Sequence, residues 1–159
     1  MIVVAQIVDG PIGAAVEWAV DAPRPACGTA GAVIRFEGIV RRLEPAPSAH
    51  APAAPTAPAT PTVPTARSTV ECALEALDYE TYDPMAEREL TALARRTAEA
   101  HGLLSIMVLH SRGRVAVGEV SFMLEISAPH RAEALRAMSD FIDQLKRDVP
   151  IWKRPVWAA

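Results

Sequence analysis

The 159-residue sequence predicts an α+β fold, with a mostly antiparallel sheet and two main helices in one domain spanning residues 1–159. Short apolar segments show strand-like alternation, and some follow each other closely enough for antiparallel pairing. Two longer segments carry apolar residues at helical spacing. Half of the residues are hydrophobic, which suffices for one core at this length, and no repeat indicates a second domain.

Two strands are predicted in the N-terminal part of the chain. Ile2–Val8 is a short apolar strand that ends before Pro11, and residues 14–20 are a weak helix candidate. Gly31–Arg41 is a stronger strand, in which Gly38 indicates a β-bulge or a close backbone approach. Its residues alternate between an apolar side with Ile34, Phe36 and Val40 and a charged side with Arg35 and Glu37.

The segment 44–67 differs in composition from the rest of the chain. It holds seven of the fourteen prolines and eight alanines, and almost none of its side chains can pack. Proline also removes backbone hydrogen-bond donors, so the segment is not expected to join a sheet. We expect a mobile, Pro/Ala-rich insertion that interrupts one domain, because neither flank has enough apolar residues to fold alone.

Three further strands are predicted in the C-terminal half, at Val70–Leu77, Leu104–His110 and Glu119–Ile126. Gly113 and Gly118 are expected in the link between the second and the third of these. The third alternates cleanly, so one set of side chains should face the core and the other should face away. The inward set is Val120, Phe122, Leu124 and Ile126, and the outward set is Glu119, Ser121, Met123 and Glu125.

The two main helices are predicted from capping residues and periodicity. The first should begin at Pro84 with Asp83 as its N-cap, and Gly102 should end it. Its expected buried stripe is Met85, Leu90, Leu93, Ala94 and Thr97. The second should span Pro129–Arg147, with Leu135, Met138, Ile142 and Leu145 buried.

Charge and cysteine content restrict the function classes. The net charge of −3 and a pI near 5.8 argue against nucleic acid as the main partner. The two cysteines, Cys27 and Cys72, have neither metal-ligand nor Cys-x-x-Cys spacing, which fits a reducing compartment. The N-terminus lacks a basic leader and no apolar run is long enough to span a membrane, so a soluble cytoplasmic protein is expected.

Basic residues concentrate around the last predicted helix. His130 and Arg131 fall in its first turn, after Ser127 as a predicted cap, where backbone N–H groups and the helix dipole favour phosphate or carboxylate. A solvated first turn explains the same pair equally well. The residues alone therefore leave an anion site and an ordinary helix start as alternatives.

Two lysines near the end of this helix are candidate catalytic residues. Lys146 lies at the apolar end of the helix, and Lys153 and Arg154 follow the break at Pro150. A lysine held against apolar surface can act as a nucleophile or a general base. Cations near a helix C-terminus are common, however, so a structural role stays open for both.

Other basic and imidazole residues give weaker signals. Arg41 ends the glycine-containing strand, where functional side chains often emerge, and Arg42 beside it looks the same. His101 and His110 are interpreted as structural. The sequence contains no recognisable carboxylate pair, Ser-His-Asp order, phosphate loop or metal-ligand cluster. The residues alone therefore predict an anion pocket with lysines and no specific reaction.

At these residues the sequence resembles the large catalytic subunit of molybdopterin synthase. The matching segments occur in the family's order and cover most of the chain outside the insertion: Gly31–Arg41, Leu77–Glu87, His110–Arg114, Val117–Glu119, Ser127–Ala134 and Leu145–Arg154. Their combination is specific, whereas any one of them is not. The chain departs from the family pattern at Ile39, where a basic residue is frequent, and at Pro155, where an acidic residue is usual.

The resemblance implies an α/β hammerhead-like fold and a sulfurtransferase of molybdenum cofactor biosynthesis. It implies a homodimer that binds one small ubiquitin-like subunit per chain, giving a heterotetramer. That partner carries sulfur as a thiocarboxylate on its C-terminal glycine. The implied reaction converts cyclic pyranopterin monophosphate to the molybdopterin dithiolene, with no metal or other cofactor.

The resemblance also assigns roles to individual residues. Lys146 is most closely tied to catalysis, with Lys153 as the second catalytic candidate. His130 and Arg131 would bind substrate across the dimer interface. The complete set of implied substrate-binding residues is Val40, Arg41, His130, Arg131, Lys146, Lys153 and Arg154.

Two rival functions remain compatible with the sequence. One is a non-catalytic relative that acts as a binding module for a ubiquitin-like partner, and the other is a phosphate-binding regulatory domain. The enzyme is favoured because a scaffold does not need the whole basic set, which comprises Arg41, His130, Arg131, Lys146 and Lys153.

Overall fold

The computed structural model describes residues 1–13, 25, 28–45 and 71–158. Within these ranges the chain forms strands β1 Ile2–Asp9, β2 Ala32–Ile39, β3 Leu43–Pro45, β4 Glu71–Thr81, β5 Ser105–Ala116, β6 Val120–Ala128 and β7 Ile151–Trp157, and helices α1 Met85–Ala100 and α2 Arg131–Asp148. The predicted α+β class with a mostly antiparallel sheet and two main helices is confirmed. None of the helices in the described ranges is long and apolar enough to cross a membrane.

The long strand β5 connects the two halves of the sheet. The strand order is β2–β6–β5–β4–β3, with β1 beside β5 and β7 beside β4. Residues Ser105–His110 of β5 pair with β6 and, in parallel, with β1, whereas Gly113–Ala116 pair with β4. Gly113 adopts a φ of 81° where the strand changes partners, a conformation that glycine adopts without steric cost.

The main core lies between the sheet and the two helices. Leu90 and Leu93 of α1 and Phe141 of α2 are fully buried against Ile106 and Leu124 of the central strands. Each such side chain contributes about 1.5–3 kcal/mol on burial, so this face determines how the helices sit on the sheet.

The start of α1 differs from the prediction. Pro84 is the N-cap residue and no side chain caps the helix. The Asp83 carboxylate instead accepts a hydrogen bond from Thr81 Oγ1 at 2.9 Å and forms an ion pair with Arg112. The prediction of Asp83 as N-cap is therefore wrong, because a guanidinium on β5 binds the carboxylate more strongly than backbone N–H groups would.

The start and the buried stripe of α2 also differ from the prediction. The helix begins at Arg131 without a side-chain cap, because Ser127 is buried within β6 and pairs there with Val33 and Ser105. Leu135 is 57% exposed, and the missed Phe141 is buried. The buried stripe is Ala134, Ala137, Met138, Phe141 and Leu145. The helix is thus rotated so that Ala134 and Ala137, rather than Leu135, face the core.

Met123 of β6 faces away from the main core, as predicted. Met123 packs with Ile12 and Leu109 in a second cluster on the other face of the sheet, and Ser121 is buried as well. A strand in the middle of a sheet is covered on both faces more readily than an edge strand. Alternation therefore predicted the side on which Met123 lies, but not that a second cluster covers it.

The structure shows where the sheet ends before the predicted insertion. The register of β2 against β6 shifts between Gly38 and Ile39, which confirms the predicted bulge. Leu43–Pro45 pairs with β4, so Glu44 and Pro45 extend the sheet rather than belonging to the insertion. Residues 46–70, and the weak helix candidate at residues 14–20, lie outside the described ranges.

Candidate active site

A cavity of about 340 Å³ lies where the end of α2 and strand β7 meet the sheet. Strands β2, β4, β5, β6 and β7 and helix α2 all contribute to its walls. The lining residues are Phe36, Tyr79, His110, Ser121, Phe122, Ile142, Leu145, Lys146, Ile151 and Lys153. Because the contributing segments are distant in the sequence, this cavity exists only in the folded chain.

Lys146 and Lys153 line the same cavity, as their predicted shared role requires. Helix α2 ends at Asp148, and Ile151 N–H donates to Val149 O at 2.8 Å in the turn that leads into β7. This tight turn returns the chain so that Lys153 faces the site that Lys146 reaches from the helix. Antiparallel pairing of Lys153 with Tyr79 of β4 then fixes the register of β7.

The charge of the cavity is positive in the described part of the chain. No aspartate or glutamate is among the lining residues. Lys146 is exposed and makes no hydrogen bond or ion pair with any described residue. Two ammonium groups without a lining carboxylate favour an anionic ligand, such as a phosphate or a thiocarboxylate.

Aromatic rings form one wall of the cavity. The ring centroids of Phe36 and Phe122 lie 6.0 Å apart, those of Phe122 and His110 lie 5.7 Å apart, and those of His110 and Tyr79 lie 5.3 Å apart. Phe36 is 41% exposed although it lies beside the buried Phe122. A wall of this kind suits a flat heterocycle, which aromatic rings contact over a large area.

Two hydrogen-bonded groups fix the polar part of this wall. The Tyr79 hydroxyl donates to Ser121 Oγ at 2.8 Å, and Ser121 Oγ donates to the Gly38 carbonyl at 3.2 Å. His110 Nδ1 lies 2.9 Å from the carbonyl oxygen of Ser111. Burial lowers the pKa of His110, and the hydrogen bond to Ser111 only partly opposes that effect.

Arg154 is separated from Lys153 by strand alternation. Successive side chains of a strand point to opposite faces, so Arg154 does not line the cavity. Its guanidinium pairs instead with Glu80 of β4 at 2.8 Å. The basic pair that is contiguous in the sequence is therefore divided between two surfaces.

His130 and Arg131 lie at the other end of α2 from Lys146. Both are exposed, and His130 is the N-cap residue of the helix. At about 1.5 Å of rise per residue, Arg131 and Lys146 are about 22 Å apart along the helix. One chain therefore does not bring these two parts of the predicted site together.

Val40 and Arg41 follow the bulge of β2. Val40 is 2% exposed, its N–H donates to Glu119 O at 3.0 Å, and its carbonyl accepts from Gly118 N–H at 2.9 Å. With its side chain in the core and its backbone groups paired, Val40 supports the strand end. Arg41 is exposed beside it and does not line the cavity.

The structure adds cavity residues that the sequence did not single out. Phe36, Tyr79, Ser121 and Phe122 were read only as parts of strands, and His110 as structural. One signal was available for His110, because it continues the inward alternation of Ile106 and Val108. A polar ring on a core-facing position needs either a buried partner or a cavity.

A family model described as MoaE protein matches residues 62–148, which is more than half of the chain. The chain belongs to the MoaE protein family. The match ends just after Lys146, so β4, α1, β5, β6 and α2 lie within it while β7 lies beyond it. The family predicted from the sequence motifs is confirmed.

Curated relatives agree with this assignment. The molybdopterin synthase catalytic subunit of Coccidioides immitis is 46% identical over 78 residues, covering 49% of this chain and 40% of that protein. The protein of the same name from Homo sapiens is 40% identical over 82 residues, covering 52% of this chain and 44% of that protein. The matched part thus spans less than half the length of these two relatives.

Solved structures match over nearly the whole chain. Molybdopterin synthase from Staphylococcus aureus superposes with a TM-score of 0.68 and 27% identity, over 96% of this chain and 90% of that one. A complex of subunits 1 and 2 of molybdopterin-converting factor from Helicobacter pylori matches with a TM-score of 0.63 and 19% identity, over 97% and 89%. The second likeness concerns the fold alone.

Proposed function

We propose that this chain is the catalytic subunit of a molybdopterin synthase. It transfers sulfur from the thiocarboxylated C-terminus of a small ubiquitin-like subunit to cyclic pyranopterin monophosphate, forming the molybdopterin dithiolene. The observation that carries the proposal is the convergence of Lys146 and Lys153 on an aromatic cavity that no described carboxylate lines. Membership of the MoaE protein family supports the proposed reaction class.

The two walls of the cavity match the two parts of such a substrate. Phe36 and Phe122 provide apolar ring faces for the fused heterocycle. Lys146 and Lys153 provide charge for the phosphate and for the thiocarboxylate that delivers sulfur. Lys146 is the principal catalytic residue in this proposal, because it has no competing partner among the described residues. Lys153 is the second.

Two of the remaining predicted residues, His130 and Arg131, require a second copy of the chain. Because His130 and Arg131 lie about 22 Å from Lys146 along α2, they reach a cavity only if it belongs to the other protomer of a dimer. The proposed assembly is accordingly a homodimer with one small subunit on each chain. The Helicobacter pylori structure of similar fold is itself a complex of two different subunits, which supports a small partner.

The decisive experiment is a sulfur-transfer assay. The purified chain is mixed with thiocarboxylated small subunit and cyclic pyranopterin monophosphate, and dithiolene formation is measured by mass spectrometry. We expect product with the thiocarboxylate and none with the unmodified carboxylate. Binding of the small subunit without product would favour the non-catalytic binding module. Pterin binding without any partner interaction would favour the regulatory domain.

No cofactor or metal takes part in the proposed step, and the cytoplasmic location stays a prediction. Sulfur transfer after extensive treatment with a chelator, compared with an untreated sample, tests the metal-free mechanism. Loss of activity that added divalent metal restores would contradict it.

A further inference from the structure

His110 is held in one orientation inside the candidate active site. The residue lies on β5, is 7% exposed, and follows the buried Ile106 and Val108 on the core-facing side of the strand. Its ring lies between Tyr79, whose ring is edge-on to it, and Phe122. These two ring contacts restrict rotation of the His110 side chain.

The hydrogen bond to Ser111 determines which nitrogen carries the proton. Nδ1 lies 2.9 Å from the Ser111 carbonyl oxygen, and a carbonyl can only accept, so Nδ1 is the donor. Burial lowers the pKa of this histidine, so the ring is neutral near pH 7. Nε2 therefore carries a lone pair. It has no hydrogen-bond partner among the described residues and is not sealed from solvent.

The neighbouring Tyr79 hydroxyl is also fixed in its role. Its hydrogen is donated to Ser121 Oγ at 2.8 Å, so this hydroxyl is not the donor for a ligand. Nε2 of His110 is thus an acceptor in the cavity wall, whereas Lys146 in the same cavity is a donor with positive charge. A lone pair does not attract an anionic group, whereas it can accept a hydrogen bond from an N–H group of a heterocycle.

We infer that His110 is a specificity-determining residue whose Nε2 accepts a hydrogen bond from an N–H group of the bound pterin. The inference rests on the proposed function and adds to it the orientation of the ring. The pterin edge that carries N–H groups faces His110, and the phosphate faces Lys146 and Lys153. A heterocycle of similar size that lacks this N–H group binds more weakly, because Nε2 of His110 in the buried wall then has no hydrogen-bond donor.

Two substitutions separate this role from simple packing. His110→Phe keeps an aromatic ring and removes the acceptor, whereas His110→Gln loses the ring but can place an amide oxygen close to the position of Nε2. Binding of cyclic pyranopterin monophosphate is measured by calorimetry without the small subunit, so that no turnover occurs. We expect about tenfold weaker binding for His110→Phe and a smaller loss for His110→Gln. A packing role predicts the opposite order.

The outcomes distinguish this inference from the proposed function. If the wild-type chain does not bind the pterin, the proposed function fails and the inference fails with it. If wild type binds and His110→Phe binds equally well, or His110→Gln is the weaker variant, the inference alone is overturned.

If a variant does not fold, the role of His110 can be tested on the unsubstituted chain. In a ¹H–¹⁵N spectrum of ¹⁵N-labelled imidazoles, the unprotonated Nε2 signal of His110 should shift on addition of the pterin. A protonated Nε2 in the free chain, or an unchanged signal in the complex, would overturn the inference.

Discussion

The two ends of helix α2 carry the predicted basic residues in different surroundings. At the C-terminal end, Lys146 reaches an aromatic cavity that Lys153 also lines. At the N-terminal end, His130 and Arg131 are exposed on a first turn that also contains Glu133. The first arrangement has the enclosure and the charge of a binding site, whereas the second has charge but lines none of the cavities found among the described residues.

Under the proposed function, this difference means that each chain contributes part of a shared site. The helix separates the two groups by about 22 Å, which no side-chain motion within one chain bridges. A second protomer is the simplest way to join them, since a two-fold axis places the same pair of surfaces against each other twice.

The largest effect is expected for Lys146→Ala. Loss of the catalytic amine should lower dithiolene formation by roughly 10²–10⁴-fold, while the melting temperature stays close to that of wild type because the side chain is exposed. Arg147→Ala is the matched control, since this neighbour is exposed and does not line the cavity. Near-normal turnover of Lys146→Ala would move the catalytic role to Lys153.

Mixing two inactive variants tests the connection between the ends. When Arg131→Ala and Lys146→Ala chains are co-refolded, hybrid dimers should contain one complete site each, and activity should return to about a quarter of wild type. Each variant refolded alone is the control. The absence of recovery, with hybrid dimers verified by mass spectrometry, would show that the two ends do not share a site.

Lys153 and Arg154 form a natural pair for testing strand alternation. Lys153→Ala should weaken pterin binding about ten- to a hundredfold, because a charged contact to phosphate contributes roughly 1.5–3 kcal/mol. Arg154→Ala should change affinity little, since its partner Glu80 is on the other face and such a surface ion pair contributes about 0–1 kcal/mol. Calorimetry with both variants measures this, and equal losses would place Arg154 in the site.

A smaller effect is expected on the free energy of unfolding at acid pH. Because burial lowers the pKa of His110, the unfolded chain binds a proton below about pH 6.5 while the folded chain does not. The free energy of unfolding should therefore fall as the pH drops from about 6.5 toward the lower, folded-state pKa. Urea denaturation at several pH values should show a weaker decline for His110→Phe than for wild type. Identical declines would contradict burial as the cause.

The smallest effect is expected for the Pro/Ala-rich segment. Replacing residues 46–67 by a short glycine linker should leave the melting temperature within a few degrees, because loop length contributes only about 0.6 kcal/mol per doubling. A longer deletion that also removes Leu43–Pro45 serves as the comparison, since it takes away the strand that pairs with β4. A large loss of stability from the shorter deletion would show that the segment packs.

Local patterns were sufficient for most elements of the fold. The alternation that predicted β1, β2 and β6, and the apolar stripe that predicted α1, depend on residues close together in the sequence. Asp83 and Leu135 were misjudged because their surroundings come from elsewhere. Arg112 of β5 binds the Asp83 carboxylate, and the packing of α2 turns Leu135 outward.

The candidate site was predictable to a smaller extent. Lys146 and Lys153 could be found because an apolar helix end and the Pro150 break stand next to them in the sequence. The aromatic wall could not, because Phe36, Tyr79 and His110 come from three strands whose order follows from long-range pairing. Their common role depends on register, which no local pattern specifies.

The sequence by itself determined the family motifs, the periodicity of the strands and helices, and the positions of the basic residues along the chain. The tertiary structure alone decided which of those residues share a surface. Lys153 and Arg154 are neighbours in sequence but face opposite sides of β7, whereas Lys146 and His110 are distant in sequence and line one cavity. The physical reason is that side-chain alternation is local, while strand register and helix packing come from contacts between distant segments.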